Sequence, residues 1–282
     1  MHSTTSLHNL PGGVPAGYKD KSDGFSRQTY VDHTMGSVHM GTGISQLEAG
    51  GHISHHLHAF EESFYILEGS LLCQIGEAVY ELGPGHYGLI PTGAPHAWQN
   101  KGSVAARWVE MQAPQPRPDG SDTFFVDGEL AASGQAPDPA RAAEMMVGHF
   151  DEGQLPKPGE PGQMEGFNAT TGVAIKMFVD RSSGATHQSL FLIQYQPGAK
   201  IDAHDHTFEE SYYIVSGRVK ATADGQTYEL GPGDSIWTSV GCIHSFEQVG
   251  DEPVRWIETQ APLPPAKEAF RFERDWSGKY AG

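Results

Sequence analysis

Hydrophobic positions along the chain fall into short runs that are rich in β-branched and aromatic residues. Examples are SFYILEGSLLCQI and YGLIP in the first half, and SYYIVSGRVKAT and SIWTS in the second half. The runs are bounded by Gly or Pro-Gly, and no helical pattern of ten or more residues lies between them. Short strands separated by turn signals are typical of sandwiches and barrels, so the pattern predicts an all-β fold.

The second half of the chain repeats the first half at an offset of 148 residues. FEES at 60–63 returns at 208–211, and YELGPG at 80–85 returns at 228–233. No insertion or deletion is needed between about residue 30 and residue 114. A repeat of this length indicates a duplicated domain, and 282 residues suffice for two domains of ordinary size.

The repeat predicts a domain organisation with two similar halves. We expect the first domain at 30–114 and the second at 149–264. The segment 115–148 is rich in Pro, Gly and Ala, which predicts a linker. Residues 1–29 are predicted to form an arm packed on the other half, and residues 265–282 a polar tail.

Composition limits the partners. The formal charge of −17, with only 18 Lys and Arg residues, predicts no binding to nucleic acid or to an anionic membrane. No run of eighteen apolar residues and no secretory signal is found, so we expect a cytoplasmic protein with a small-molecule substrate. The strand runs place apolar residues on both faces, which predicts a homo-oligomer.

Histidine and glutamate recur at matching positions in the two halves. His56 and His58 point to the same face of a strand, Glu62 returns to that face across a kink or bulge, and His96 follows a turn. The second half repeats this set with His204, His206, Glu210 and His244. Three imidazoles and one carboxylate suit one divalent Mn, Fe, Ni, Co or Zn ion in each half, rather than Ca or Mg. On a six-coordinate ion, four protein ligands leave two positions open, as a reactive site requires.

A single His-x-His pair is more often a surface accident or a satisfied core pair than a metal site. Here the surroundings differ between the halves, as at His52 against Lys200 and at His55 against Ala203, whereas the four ligand positions are unchanged. The repetition therefore favours metal binding.

The motifs around these residues resemble those of the cupin superfamily. Gly50 to Gly69 reads G-x5-H-x-H-x3-E-x6-G, and Gly85 to Asn100 reads G-x5-P-x-G-x2-H-x3-N. The second half matches except that Ser239 replaces Pro and Gln248 replaces Asn. The resemblance implies a bicupin, with two double-stranded β-helix barrels of the jelly-roll type in one chain.

Two kinds of bicupin share features with this chain. Its layout is similar to that of ureidoglycine aminohydrolase-like bicupins, which implies a reaction site in the second barrel. Its ligand set resembles that of quercetinase-type dioxygenases and oxalate decarboxylases. We therefore expect a metal-dependent oxidoreductase of the dioxygenase type, acting on a small oxygenated or carboxylate metabolite, with Glu62 or Glu210 as base. A non-redox hydrolase, lyase or isomerase is the alternative, and a non-catalytic binding or storage cupin is a second alternative.

Gln112 and Gln260 recur near the end of each half, in VEMQAP and IETQAP. They are predicted substrate-binding residues, with a packing or turn role as the alternative.

Overall fold

A computed structural model describes residues 1–138, 146–156, 172–266 and 269–272. Parts of the predicted linker and of the predicted tail lie outside these ranges. Strands predominate in the described part of the chain, so the all-β prediction is confirmed. No helix within it is long and apolar enough to cross a bilayer.

The strands are numbered in chain order. The first eleven are β1 His2–Ser6, β2 Ser22–Val31, β3 Gly41–His58, β4 Glu61–Glu68, β5 Leu71–Ile75, β6 Ala78–Leu82, β7 His86–Ile90, β8 His96–Gln99, β9 Ala106–Ala113, β10 Thr123–Phe125 and β11 Val147–His149. The others are β12 Val173–Val179, β13 Ser189–Tyr195, β14 Lys200–His206, β15 Glu209–Ser216, β16 Arg218–Ala223, β17 Gln226–Leu230, β18 Asp234–Thr238, β19 His244–Val249, β20 Val254–Ala261 and β21 Phe270–Phe272. Single 3₁₀ turns lie at Leu7–Asn9, His33–Met35, Glu152–Gln154 and Arg181–Ser183.

The chain divides into two compact units. The first, called the N-terminal barrel, comprises residues 10–151 and 178–188. Its sheet has the order β11-β7-β4-β9-β3-β8-β5-β6, and β2 and β10 also pair with β3. Strand β3 pairs with β9 along its first half and with β8 along its second half, so one long strand connects the two sides of the curled sheet.

The second unit, called the C-terminal barrel, comprises residues 1–9, 152–177 and 189–282. It has a sheet of order β1-β18-β15-β20-β13-β12 and a second sheet of order β17-β16-β19-β14-β21. The first strand of the chain, β1, therefore belongs to this barrel, where it pairs with β18 from His2 opposite Thr238 to Ser6 opposite Asp234.

The duplication is visible strand by strand. β4 and β15, β6 and β17, β7 and β18, and β9 and β20 have bounds that differ by 148 residues. The 3₁₀ turns before β3 and β13 also correspond, because Asp32 and Asp180 cap them with side-chain hydrogen bonds to backbone N–H groups.

Each barrel has its own apolar core. Trp98 and Trp108 stack at 5.2 Å in the N-terminal barrel, and Trp256 packs with Phe246 and Tyr195 in the C-terminal barrel. Full burial of a large apolar side chain contributes about 2 to 3 kcal/mol. Because these cores are formed by apolar side chains packed against one another, each barrel has a source of stability that does not require a bound ion.

Candidate metal centres

Backbone register brings the predicted ligands of the N-terminal barrel together. His56 and His58 end β3, and His96 begins β8 directly opposite His56. The register shifts by a β-bulge between Ile53 and His56, and a bend after β3 places Glu62 in β4. The ring centroids of His56 and His96 lie 4.0 Å apart, and those of His58 and His96 lie 4.8 Å apart.

Backbone carbonyls fix the tautomer of every predicted histidine ligand. A carbonyl can only accept, so a ring Nδ1 bonded to one carries the hydrogen and Nε2 keeps its lone pair. In the N-terminal barrel the Nδ1 distances are 2.9 Å for His56 to Ser54, 2.6 Å for His58 to Phe60 and 2.9 Å for His96 to Ala94. In the C-terminal barrel they are 2.9 Å for His204 to Asp202, 2.7 Å for His206 to Phe208 and 2.9 Å for His244 to Cys242.

The N-terminal set fits a cation. Ligand atoms of His58, Glu62 and His96 all lie within 4.8 Å of one another. Nε2 of His58 faces Oε2 of Glu62 at 3.2 Å, so a lone pair meets a carboxylate oxygen. Nε2 of His58 and of His96 are buried and have no hydrogen-bond partner in the described residues. Buried acceptors without partners are costly, and a metal ion between them would satisfy both.

Burial keeps His56 and His96 in the neutral form that binds a metal. It lowers the pKa of His56 to about 4 and that of His96 well below its usual range, so both rings are neutral at neutral pH. His56 completes the predicted set beside His96, and all four side chains are buried.

The C-terminal barrel has the same arrangement. His204 is paired with His244 across β14 and β19, and ligand atoms of His204, His206 and His244 lie within 4.8 Å of one another. Oε2 of Glu210 is 2.6 Å from Nε2 of His206 and 3.2 Å from Nε2 of His244. Burial lowers the pKa of His204 to about 3.

A phenol distinguishes the C-terminal centre. The hydroxyl of Tyr212 donates a hydrogen bond to Oε2 of Glu210 and lies 3.0 Å from Nε2 of His244. The N-terminal barrel has Phe64 at the corresponding position. The difference is present in the sequence, as FEESFY against FEESYY, but the metal-ligand motif does not include this position.

The two recurring glutamines have different contacts. Gln260 donates from Nε2 to Oε1 of Glu210 at 2.7 Å, so it contacts a predicted ligand. Gln112 donates to Oε1 of Glu110 at 2.6 Å and accepts from Nη1 of Arg27 at 2.6 Å. Gln112 lines a cavity, and its role in substrate binding stays a prediction.

Arg27 is the main residue of this cavity that sequence reasoning did not find. Its side chain is 8% exposed, and Nη1 lies 3.3 Å from Oε1 of Glu110. Nε and Nη2 are buried without a hydrogen-bond partner in the described part of the chain. The cavity is also lined by His56 and Glu62. Burial raises the pKa of Glu110, and the guanidinium of Arg27 opposes this effect.

Gly43 leaves space beside the guanidinium. A Cβ atom at this position would lie 2.7 Å from Nε of Arg27. In the C-terminal barrel, Ile175 stands at the position of Arg27, and Phe191 stands at the position of Gly43. Both are fully buried core residues. The N-terminal barrel therefore has a buried guanidinium beside its cavity, where the C-terminal barrel has apolar core side chains at the matching positions.

The cavity of the C-terminal barrel contains one carboxyl group besides Glu210. Its apolar lining includes Ile193, Ile201, Phe246, Trp256 and Phe270. Glu258 accepts a hydrogen bond of 2.9 Å from Nε1 of Trp256. Burial, and then the charge of Glu210, raise the pKa of Glu258 well above its usual range, which favours the neutral acid.

A third cluster of possible ligands lies outside the two centres. Side-chain atoms of His2, Asp224 and Cys242 lie within 4.8 Å of one another. Tyr228 already contacts Nε2 of His2 at 2.9 Å, and burial raises the pKa of the Cys242 thiol to about 12. These atoms have protein partners or hold their protons, unlike the buried Nε2 atoms of His58 and His96 in the N-terminal centre.

Comparison with known proteins agrees with this architecture. The cupin domain model matches residues 43–111 and 191–259. Quercetin 2,3-dioxygenase of Bacillus subtilis (strain 168) is 25% identical over 211 residues, which cover 66% of this chain and 62% of that protein. Polyketide synthase CurC of Streptomyces cyaneus is 34% identical over 83 residues, or 29% of this chain and 54% of that protein. The aligned part of the chain thus covers 54% to 62% of the length of these two relatives.

Solved structures give the same fold. The oxalate decarboxylase of Lactobacillus farciminis in its formate complex has a TM-score of 0.68 and 16% identity, over 97% of this chain and 89% of that chain. The oxalate decarboxylase of Bacillus subtilis has a TM-score of 0.65 and 18% identity, over 97% and 78%. At these identities the likeness concerns the fold alone. The cupin domain match in both halves shows that the chain belongs to the cupin superfamily and is a bicupin, with one cupin domain in each barrel.

Proposed function

We propose that this bicupin is a metal-dependent oxidoreductase of the dioxygenase type, and that it acts on a small anionic metabolite in the N-terminal barrel. The observation that carries the proposal is the buried guanidinium of Arg27, whose Nε and Nη2 lack hydrogen-bond partners in the described residues and whose side chain lines the same cavity as Glu62 and His56. A buried cation with two unused donors is costly unless a ligand satisfies them.

The metal would be held by the predicted ligands, one divalent transition ion per barrel. The proposed ligands are His56, His58, Glu62 and His96 in the N-terminal barrel, and His204, His206, Glu210 and His244 in the C-terminal barrel. Such an ion supplies Lewis acidity and, where it is redox-active, a route for electrons between a substrate and dioxygen. Fe, Mn, Ni and Co suit the nitrogen and oxygen donors, and Zn would suit only the non-redox alternative.

Arg27 is proposed to bind and orient the substrate. Nε and Nη2 form one edge of the guanidinium. This edge can donate two parallel hydrogen bonds, either to the two oxygens of a carboxylate or to two neighbouring oxygens of an enolate. Glu110 and Gln112 hold the opposite side of the group through Nη1. The arginine is therefore fixed before a substrate arrives, and little side-chain entropy is lost when it binds.

Glu62 is proposed to accept a proton from the bound substrate. It lines the cavity together with Arg27, and of the four proposed ligands only a carboxylate can take up a proton at low cost. The ring of Tyr18 and the indoles of Trp98 and Trp108 line the rest of the cavity and keep bulk water away from the polar groups.

The assignment to the N-terminal barrel departs from the expectation drawn from the ureide-type layout. The C-terminal cavity has no counterpart of Arg27 in the described residues that line it, because Ile175 stands at that position and Phe191 fills the space beside it. Similarity to quercetin 2,3-dioxygenase supports the oxidoreductase class. The fold likeness to oxalate decarboxylases makes a decarboxylase the second candidate.

Oxygen uptake in parallel with carbon dioxide release tests the class. Quercetin, oxalate and a panel of small 2-hydroxy and 2-oxo carboxylates are supplied to protein loaded with Mn(II), Fe(II), Co(II) or Ni(II). A dioxygenase places both oxygen atoms in the product, so oxygen uptake should equal turnover. Carbon dioxide release without net oxygen uptake would replace the proposal with a decarboxylase.

Arg27→Met tests the substrate site. Loss of a bidentate contact should raise KM by roughly 100-fold for an anionic substrate, with metal content unchanged. Arg107→Met is the matched control, because Arg107 pairs with the exposed Glu68 and should leave KM unaltered. Wild-type KM in Arg27→Met, together with loss of turnover in His204→Ala, would move the reaction to the C-terminal barrel.

A further inference from the structure

The cavity of the N-terminal barrel contains a buried donor besides the guanidinium of Arg27. Trp108 lines this cavity, and its side chain is fully buried. Its Nε1 has no hydrogen-bond partner among the residues that the structure describes. An indole N–H can only donate, and a buried donor without an acceptor is costly. The cavity is therefore suited to a ligand that brings an acceptor for Trp108.

The matching tryptophan of the C-terminal barrel has an acceptor inside the protein. Trp256 stands at the position of Trp108, and its Nε1 donates to Oε2 of Glu258 at 2.9 Å. Glu110, which matches Glu258, instead accepts through Oε2 from the hydroxyl of Ser45. The internal acceptor that Trp256 uses is thus bonded to another donor in the N-terminal barrel.

Strand register places Arg27 and Trp108 on the same face of the sheet. Arg27 lies opposite Ser45 across β2 and β3, and Ser45 lies opposite Trp108 across β3 and β9. Opposed residues share a face, and neighbouring strands are about 4.8 Å apart, so the Cα atoms of Arg27 and Trp108 are roughly 10 Å apart. Only the small side chain of Ser45 lies between them on this face. A small molecule can therefore contact both donors.

The C-terminal barrel has apolar side chains at these positions. Ile175 and Ile193 stand where the N-terminal barrel has Arg27 and Ser45, and both pack in the core that includes Trp256. The unpartnered indole donor thus occurs together with the unpartnered guanidinium donors and with a small residue between them.

Two aromatic rings hold the indole of Trp108 in place. It stacks on Trp98 at 5.2 Å with an interplanar angle of 19°, and on Phe25 at 6.3 Å with an angle of 16°. A ring packed in this way cannot turn its N–H toward solvent. The direction of the donor is therefore set before a ligand binds.

We propose that Trp108 determines substrate specificity in the N-terminal barrel by donating a hydrogen bond from Nε1 to an oxygen of the anion that Arg27 binds. A carboxylate occupies the free edge of the guanidinium, so the indole requires a further acceptor oxygen on the same molecule. The substrate class is a small carboxylate with a second oxygen function, such as a 2-oxo carboxylate, and not a plain monocarboxylate. This inference rests on the proposed function, because it requires an anion at Arg27.

Nuclear magnetic resonance of the indole N–H groups tests the contact. The chain has five tryptophans, and each gives one signal after labelling with ¹⁵N-tryptophan. The protein is loaded with Zn(II), which is diamagnetic and redox-inactive, and is titrated with 2-oxopropanoate or with propanoate. We expect the proton signal of Trp108 to move downfield with 2-oxopropanoate and to stay in place with propanoate. The signal of Trp256, whose N–H is bonded to Glu258, should not move with either anion.

Trp108→Phe identifies the signal by its absence and also tests the affinity. Calorimetry should show roughly 10-fold weaker binding of 2-oxopropanoate, as expected for the loss of one hydrogen bond to a charged molecule, and little change for propanoate. Trp256→Phe is the matched control and should leave both affinities unaltered. If Trp108→Phe does not fold, Phe25→Leu identifies the signal, because it removes a ring stacked on Trp108 and so displaces that resonance.

A Trp108 signal that stays in place with 2-oxopropanoate, or that moves equally with both anions, would overturn the proposal. If Arg27→Met still raises KM in that case, the proposed function stands and the indole only packs against its neighbours. If neither anion binds the Zn(II)-loaded protein, or if Arg27→Met binds 2-oxopropanoate as tightly as wild type, the specificity proposal and the anion site both fail.

Discussion

Gln260 donates a hydrogen bond of 2.7 Å from Nε2 to Oε1 of Glu210, on the neighbouring strand. Ser189 donates to the other end of the same amide at 3.0 Å, which fixes its orientation. One oxygen of Glu210 is therefore occupied, and the other faces His206 and His244. Gln260 acts on the proposed metal through the carboxylate that it holds.

Gln260→Ala should weaken metal binding at the C-terminal centre by about 10-fold to 100-fold, the usual effect of removing a partner of a ligand. Competition with a chelator measures the affinity, in protein whose N-terminal centre is emptied by His56→Ala and His58→Ala. Gln112→Ala is the control, because Gln112 contacts Glu110 and Arg27 in the other barrel. Equal affinities for Gln260→Ala and its parent would show that the hydrogen bond does not support the ligand.

Gly43→Ala should disturb the proposed substrate site. The new Cβ would lie 2.7 Å from Nε of Arg27 and 2.8 Å from the backbone oxygen of Gln28, so the guanidinium or the strand must move. We expect KM to rise at least tenfold, with a loss of stability of about 1 to 3 kcal/mol.

Gly41→Ala, on the same face of β3, is the matched control. Its Cβ would come no closer than 3.3 Å, to the ring of Pro116. KM and the thermal midpoint are measured for both variants. A Gly43→Ala protein that binds substrate as well as Gly41→Ala would show that the space beside Arg27 is not part of the substrate site.

The fold could be predicted from the sequence because the relevant signals are local and occur twice. Alternation and turn residues predict strands, and the repeat predicts two barrels. The spacing of His56 and His58 predicts a shared face, and the structure brings both rings to His96. Repetition at 148 residues separated these histidines from chance surface residues.

What could not be predicted depends on contacts between distant or diverged segments. Arg27 lies just before the aligned repeat, and its place in the cavity follows from the pairing of β2 with β3. Tyr212 occupies a position that the motif leaves unspecified. The pairing of β1 with β18 joins segments more than two hundred residues apart, and no local pattern encodes it.

Acid should destabilise the metal-free protein. Burial lowers the pKa of His56 from 6.5 to about 4, so between these values the unfolded chain binds a proton that the folded barrel does not. The free energy of unfolding therefore falls as the pH drops from about 6.5 to 4, by roughly 3 kcal/mol for this residue. Below pH 4 both states carry the proton and the loss ends. His204, whose pKa is lowered to about 3, acts in the same direction.

Urea unfolding of the metal-free protein at pH 7 and at pH 4.5 measures this effect. His56→Leu removes the titrating group while it keeps an apolar side chain, and it should reduce the dependence of stability on pH. His33→Leu, at an exposed position, is the control and should leave that dependence unaltered. If the free energy of unfolding changes by the same amount between the two pH values in His56→Leu and in wild type, the ring does not stay neutral in the folded state.

Deletion of residues 1–6 should weaken the C-terminal barrel selectively. These residues supply β1, which covers the outer edge of β18, and His2 adds a contact of 2.9 Å to the hydroxyl of Tyr228. Hydrogen bonds contribute about 1 kcal/mol each, and the entropy of ordering the segment offsets part of the sum, so we expect a loss of about 2 to 3 kcal/mol.

Hydrogen exchange measured by mass spectrometry should show faster exchange of the amides in Asp234–Thr238, while β7, the corresponding strand of the N-terminal barrel, should keep its protection. Because the deletion also exposes an unpaired strand edge, the shortened protein should aggregate at lower concentration than the full chain. Unchanged exchange in β18 would mean that β1 adds no stability to this edge.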